Sequence, residues 1–404
     1  MKQIVIIGGG AAGIFAAVNA ARLLKNEGNV IVLEKSNQLL SKVKISGGGR
    51  CNVTHHCFEP KELVKNYPRG SKELLGAFYH FNPTHTIEWF ESRGVKLKVE
   101  DDGRMFPITN QSQSIIDCLL QEANKYNVDI KTSFQIDAIE IENEQFIIKN
   151  KYKNIVADKL IIAAGGNAQG ILHQQLKEWR HTIQPAIPSL FTFNIPHHPI
   201  NELAGIGLEK VEINLPEIKR KMQGSFLFTH WGISGPAVLK LSAFAAKELF
   251  ERNYQFKIEI NFISELSHHE VKEAILKAKQ NQAKQKVCSN PLFFLPKRLW
   301  LLICEQSAIS ATINFADLNK QQIDKLFQHL VLFPLQANGK ATFKEEFVTC
   351  GGITLNEINF KTMESKLIPN LFFAGEIIDV DGITGGFNFQ NAWTTGIIAA
   401  ENIK

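Results

Sequence analysis

Three glycines, Gly8, Gly10 and Gly13, sit between the apolar run Ile4-Val5-Ile6-Ile7 and the small-residue stretch that continues through Ile14-Phe15-Ala16-Ala17. In a strand-turn-helix this spacing serves a diphosphate: the first glycine makes the tight turn, the second admits the pyrophosphate to the backbone, and the third lets helix pack on strand. The phosphates then rest on the amides of the helix N-terminus, around Ala11 and Ala12. A small-residue turn can also be purely structural. Here a second apolar strand, Val30-Ile31-Val32-Leu33, ends in Glu34, about 20 residues further on, where a carboxylate accepts a ribose hydroxyl. Acid at that position favours an unphosphorylated ribose, so the fingerprint reads as FAD or NAD rather than NADP.

A second donor-rich stretch follows, Ser46-Gly47-Gly48-Gly49-Arg50-Cys51-Asn52, with Lys42 upstream. Three consecutive glycines bring the backbone close to something flat or anionic, which suits a flavin and its diphosphate; a flexible basic surface loop would have the same composition. Cys51 is a candidate proton donor, because a thiol can deliver a proton to a carbon that has just accepted hydride. Arg50 beside it would lower the thiol pKa and work against that role, and a small buried packing residue is the competing account. His230, in Phe226-Leu227-Phe228-Thr229-His230-Trp231-Gly232-Ile233-Ser234-Gly235-Pro236, is the second candidate acid, or a partner for neighbouring backbone. Cys51, His55, His56 and Cys57 crowd together, but not at the spacing of a common zinc site and without a second ligand pair, so no metal is expected.

A third signal closes the chain. The strand Leu371-Phe372-Phe373 leads into Ala374-Gly375-Glu376, an acidic linker with Asp379, and a Gly385-Gly386 turn opening a last helix at Phe387-Asn388-Phe389-Gln390 and running through Ala400. The amides at the start of that helix would face an anion. Reduced flavin is anionic at N1 and O2, so the same helix would tune its potential.

The elements that must position these residues fit an α/β chain. Its 404 residues suggest two or three domains, and 44% hydrophobic with 21% charged residues is ordinary for a soluble protein. The N-terminus carries a nucleotide-binding strand where a signal peptide would stand, no apolar run suits a membrane span, and the six cysteines are scattered, which together point to the cytoplasm. A net charge of +5 and a pI near 8.7 permit an anionic partner without demanding one.

Helical stripes are read from Asn82-Pro83 through Trp89 and from Gln113 to Tyr126, strands from Val128 to Ile141 and Phe146 to Ile148, and a buried strand at Asp158–Ile162 that ends in Ala163-Ala164-Gly165-Gly166. Between about 189 and 262 the period changes: Tyr254–Phe262 alternates strictly, as a half-buried antiparallel strand does. Ser267-His268-His269-Glu270 is a capping box, Pro296 starts another helix, and Asn319 caps a third. This helical stretch carries Lys272, Lys277, Lys279, Lys284, Lys286, Lys297 and Arg298, the most basic zone of the chain, either an anion-binding surface or a solvated face. Thr342 to Thr349 reads as a returning strand. The domains expected are therefore an FAD-binding domain over 1–188 and 348–404, a β-barrel-like insert over 189–262 and 335–347, and a helical insert over 263–334.

The two chain ends, the Ser-Gly-Gly-Gly-Arg-Cys-Asn loop, the Phe-Thr-His-Trp-Gly-Ile-Ser-Gly-Pro stretch, Arg104-Met105-Phe106-Pro107 and Leu295-Pro296-Lys297-Arg298-Leu299 together resemble the BaiN-like (YhiN-like) FAD-dependent oxidoreductases over nearly the whole chain. The resemblance implies a two-dinucleotide-binding-domain, Rossmann-like flavoprotein with a β-barrel-like and a helical insert. It also implies one of several activities: reduction of conjugated double bonds in steroid-like acids, reduction of a uridine of large-subunit ribosomal RNA to dihydrouridine, or oxidation of aminoacetone. In one respect the chain departs from the family. After Gly166, Asn167-Ala168-Gln169-Gly170 runs almost directly into Ile171, where the family usually carries a longer Pro- and Gly-rich loop.

The reading adopted is an FAD-dependent reductase of an activated C=C bond, with NADH or NADPH as a transient donor and ribosomal RNA, held by the basic helical insert, as the preferred substrate. A small molecule is the alternative substrate, an amino-ketone oxidase the alternative enzyme, and a flavin-bound RNA-binding factor the non-enzymatic reading. The expected cofactor contacts are Gly8, Gly10, Ala11, Ala12, Gly13, Glu34, Lys35, Lys42, Ser46, Gly47, Gly48, Arg50, Asn52, Ile136, Ala164, Gly165, Gly375, Glu376, Asp379, Gly385, Gly386, Phe387, Asn388 and Gln390.

Overall fold

The computed structural model describes residues 2–25, 27–166, 170–341 and 348–403. The chain divides into two compact units, Met1–Ser189 with Phe343–Lys404, and Leu190–Thr342.

The first unit is built on a parallel sheet. Its strands are β1 (Lys2–Ile7), β2 (Gly28–Leu33), β3 (Asp129–Lys131), β4 (Lys159–Ile162) and β5 (Leu371–Phe373). They lie in the order β3-β2-β1-β4-β5, with two short antiparallel strands, Glu364–Ser365 and Ile358–Asn359, beyond β5. Ile4, Val5, Ile6 and Ile7 are buried because both faces of a central parallel strand are covered, which is why the run is uniformly apolar. Strand order reverses at β1, and the crevice at the carboxyl ends of such strands is where this architecture binds nucleotides. Helices α1 (Ala11–Leu24) and α2 (Phe387–Glu401) pack together. Phe15 meets Trp393 with ring centroids 5.1 Å apart, and a Cβ on Gly396 would lie 2.9 Å from the Ala12 carbonyl, so glycine sets the closeness of the crossing.

Departures from the sequence reading are local. The expected strand from Val128 to Ile141 breaks after β3, since the chain turns through 132–137 before Ala138–Glu142. Thr349–Ile353 pairs antiparallel with Ile183–Pro188. Residues 342–347 of the expected returning strand, and 167–169 of the short loop, lie outside the described residues.

In the second unit a seven-stranded antiparallel sheet closes on itself through a single run of chain. Phe333–Asn338 pairs with Gln255–Asn261, while Lys340–Ala341, one glycine further on, pairs with Thr192–Asn194 at the other edge. The three expected caps are in place: Ser267 and Asn319 form capping boxes with Glu270 and Gln322, and Pro296 precedes Lys297–Gln306. The helices over 263–334 do not make a separate body. Val271, Ile275, Leu299, Ile303, Leu326 and Leu330 join Phe193, Phe226, Ile258 and Phe333 in one hydrophobic core. Amphipathic helices this short need a foreign apolar face to fold against, and the sheet supplies it. No helix among the described residues is long and apolar enough to cross a membrane.

Candidate cofactor site

The three glycines of the first turn divide by what surrounds them. A Cβ on Gly8, where φ is +115°, would lie 2.3 Å from the Ala163 carbonyl oxygen, and one on Gly13 only 1.9 Å from that of Gly8. Both are glycine for the sake of the chain itself. A Cβ on Gly10 would meet nothing within 4 Å. The protein does not need glycine there, and the open space stands before the first-turn amides of α1, which have no acceptor within their own helix. The same contrast recurs nearby. Gly48, Gly49 and Gly165 have positive φ and open surroundings, whereas a Cβ on Gly47 would come within 2.9 Å of the Phe106 ring. Open glycine backbone before a helix N-terminus at the carboxyl end of β1 and β4 fits a dinucleotide diphosphate.

Glu34 follows β2 directly. Its Oε2 accepts from the Gly9 amide at 2.7 Å and its Oε1 from the Ser36 amide at 2.8 Å, so the turn and the carboxylate hold one another in place. Each oxygen keeps a second lone pair, which leaves room to accept a ribose hydroxyl. Lys35 beside it is exposed, and Ile136 is buried just beyond Phe134, whose amide donates to the Glu34 carbonyl at 2.9 Å.

Lys42 and Glu376, 334 residues apart, form an ion pair at 2.6 Å. Gly375 lies against α1, where a Cβ would come 2.8 Å from that of Ala12, and its amide donates to Thr395 of α2. Gly386 lies under the Cys51–Thr54 segment, since a Cβ there would meet the Thr54 carbonyl at 2.5 Å and Asn52 Oδ1 at 2.9 Å. The fold thus brings together all three glycine-rich stretches picked out in the sequence.

Other expected contacts face the protein. Gln390 is fully buried: its Oε1 accepts from Thr54 and Thr86 at 2.6 and 2.9 Å, and its amide donates to Thr394 at 3.0 Å. Asn388 closes the preceding loop by bonding both the amide and the carbonyl of Gly382 at 2.8 Å. Asp379 accepts from the Gly351 amide at 2.9 Å, Asn52 accepts from Met105 at 3.2 Å, and the Phe387 ring stacks on His55. These side chains shape the turn before α2; the backbone amides at its start are what they leave available.

Arg50 does not act on Cys51. It pairs with Glu100 and lies 4.0 Å over the Phe106 ring. Cys51 itself has positive φ and no exposed surface, and burial, eased slightly by a hydrogen bond with Ser46, pushes its thiol up to about 12. His230 is exposed, on the turn between the strands Arg220–Thr229 and Gly232–Ser234 of the second unit.

A buried charge cluster escaped the sequence reading. Arg69 makes a two-pronged ion pair with Asp381, which also accepts from the Ser189 hydroxyl, and Asp381 has no exposed surface. Burial pushes the Asp381 carboxyl above its ordinary range, while Arg69 and Ser189 pull it back. The available signal was an acid inside an otherwise apolar and glycine-rich linker; its partner, 312 residues away, had none.

Against known proteins, residues 2–402 match the HI0933-like protein Rossmann domain, and the chain belongs to that family. It is an FAD-dependent oxidoreductase. It is 29% identical to the 3-dehydro-bile acid delta(4,6)-reductase of Clostridium scindens, covering 99% of this chain and 98% of that one. It is 30% identical to the ribosomal RNA dihydrouridine synthase of Haemophilus influenzae, again over 99% and 98% of the two chains. Among solved structures, 3-ketosteroid delta1-dehydrogenase from Sterolibacterium denitrificans shares the fold, with a TM-score of 0.53 at 11% identity over 100% of this chain and 99% of that one.

Proposed function

We propose that this enzyme uses NADH or NADPH to reduce an electron-poor C=C bond, and that its substrate is a uridine of large-subunit ribosomal RNA, which becomes dihydrouridine in the cytoplasm. End-to-end similarity to a delta(4,6)-reductase and to a ribosomal RNA dihydrouridine synthase supports the reaction type. The observation that carries the choice of RNA is the state of the basic zone. Lys272 and Lys277 pair with Asp324 and Glu273, and Lys279 and Arg298 bond backbone carbonyls. Lys284, Lys286 and Lys297 are exposed and, among the described residues, make no ion pair. Three exposed cations with no ion pair, close together in the sequence, suit a phosphate backbone.

Bound FAD supplies the hydride chemistry that links a nicotinamide to the substrate double bond. The chain's part is to hold and protonate. Gly10 and the first-turn amides of α1 receive the diphosphate, Glu34 the adenosine ribose, and the backbone at the start of α2 the electron-rich edge of the ring. Saturating the double bond adds one hydride and one proton, so an acid must stand by the second carbon. Of the two candidates, Cys51 keeps its proton at neutral pH but has no surface from which to give it unless the Gly47–Gly49 turn moves. His230 is open to solvent, on the second unit.

The test is anaerobic photometry followed by modification mapping. Bleaching of the bound flavin by NAD(P)H, and loss of one dihydrouridine from large-subunit RNA in cells lacking the protein, are expected. Bleaching by an amine instead would make it an oxidase, and an unchanged RNA map would remove the proposed substrate.

A further inference from the structure

Within the basic zone the chain makes a turn whose chemistry is unusual. The Leu295 amide donates to the Leu292 carbonyl at 3.2 Å, and the two residues between, Phe293 and Phe294, have φ of +56° and +55°. Left-handed backbone at both central positions is the pattern that asparagine and glycine favour, and a bulky side chain there is strained. Both ends are anchored: Leu295 is buried, Leu292 packs against the core of the second unit, and Pro291 and Pro296 stiffen the flanks.

What the strain achieves is display. Phe293 turns back onto the core, while Phe294 stands fully exposed, at 104% of its reference surface. Strained conformations persist where the surroundings over-determine them, and they concentrate at sites of recognition. The surrounding charge indicates what is recognised. Trp300 Nε1 donates to the Val287 carbonyl at 2.7 Å, which ties the segment carrying Lys284 and Lys286 to the helix that Lys297 opens. Phe294 stands three residues before Lys297, at the start of the helix against which the segment after Lys284 and Lys286 packs.

We propose that Phe294 is a stacking platform for an unpaired base of RNA, with Lys284, Lys286 and Lys297 holding the adjoining phosphates. The inference rests on the RNA reading above and adds where, and in what form, the RNA is gripped. An aromatic face accepts any unpaired base, whereas the bases of a duplex are closed to it, so the segment bound is single-stranded or looped.

The experiment is fluorescence anisotropy of a labelled uridine-rich single-stranded RNA with the FAD-loaded, full-length protein at several salt concentrations. Phe294→Ala should weaken binding roughly five- to a hundredfold, the scale of one lost base stack, without changing the salt slope. Phe294→Trp should restore binding, and the flavin spectrum should be the same in all three proteins. Affinity of Phe294→Ala within about twofold of the parent would overturn the stacking role while leaving the RNA reading intact. A parent protein that binds no RNA would end both. Parent protein that binds anionic phosphatidylglycerol vesicles through Phe294, with RNA affinity indifferent to the residue, would assign the ring to a lipid surface and overturn the inference.

Discussion

The loops around the glycine-rich turns of the first unit and the 284–297 stretch of the second use their cations differently. In the first, Lys42, Arg50, Arg69 and Arg93 each close on a carboxylate of the same unit, Glu376, Glu100, Asp381 and Glu122. In the second unit, Lys210, Arg220, Lys272 and Lys277 are likewise paired, and Lys284, Lys286 and Lys297 are left facing solvent. Charge in the first unit fixes loops drawn from distant parts of the chain, so that the glycine-rich turns meet. The charge on these three lysines of the second is available to something else. A scaffold for one invariant cofactor consumes its own polar groups, while a surface that selects a partner must keep some in reserve.

The strongest way to break this contrast is at the first turn. Gly8→Ala should prevent the unit from folding, because its Cβ would lie 2.3 Å from a carbonyl oxygen on a backbone with φ of +115°. Gly10→Ala meets no protein atom and has ordinary φ, so it should fold and yet lose FAD. Circular dichroism with flavin absorbance of the purified proteins separates the two. A yellow, fully loaded Gly10→Ala would show that the open space is not the diphosphate's.

Next in size is the buried ion pair. Arg69→Leu strands Asp381 without its partner and should cost about 3–5 kcal/mol, whereas adding Asp381→Leu should recover most of the loss. Denaturant melts of the single and double variants measure this, and equal stability of Arg69→Leu and the parent would mean that the pair does not hold the linker before α2.

A smaller effect sharpens the other side of the comparison. Lys284→Glu with Lys286→Glu should lower the slope of log affinity against log salt by about 1.4, two phosphate contacts at about 0.7 each for single-stranded RNA. The flavin spectrum should not change. An unaltered slope would return these lysines to the solvated face that composition alone allows.

The smallest effect is on pH dependence. Burial holds the His181 imidazole below its ordinary range, with Glu357 opposing, and its Nε2 lies 3.1 Å from the Ser365 hydroxyl. The unfolded chain therefore takes up a proton that the folded one resists. Its contribution is present above about pH 6.5 and is lost as pH falls below that value. Melting temperature should begin to fall there, and His181→Gln should flatten the decline between that point and the carboxylate range.

How much of this could be read in the sequence depended on whether a residue's role was local. The first strand, the turn at Gly8–Gly13, Glu34 and the caps at Ser267 and Asn319 follow from short-range geometry, and each was legible. The union of Lys42 with Glu376, or of Arg69 with Asp381, depends on contacts more than 300 residues apart, for which a single sequence carries no signal. The side-chain partners of Gln390 were hidden for a related reason. A polar side chain at a helix start reads as a ligand contact until Thr54 and Thr86 are seen to claim it. The separation of the helices at 263–334 from the sheet failed similarly, since their apolar faces show that they need a partner but not which one.

The packing of α2 on α1 has a consequence for how the protein is made. Residues 387–401 emerge from the ribosome after everything they pack against, so β1, α1 and the Gly8–Gly13 turn wait, incomplete, through the synthesis of the entire second unit. That second unit is continuous in sequence and can fold during translation, whereas the first cannot close until residues 387–401 have emerged. Completion of the first unit therefore follows synthesis of the second. A ribosome stalled before codon 387 would hold a nascent chain with its second unit formed and α1 without the helix that packs on it.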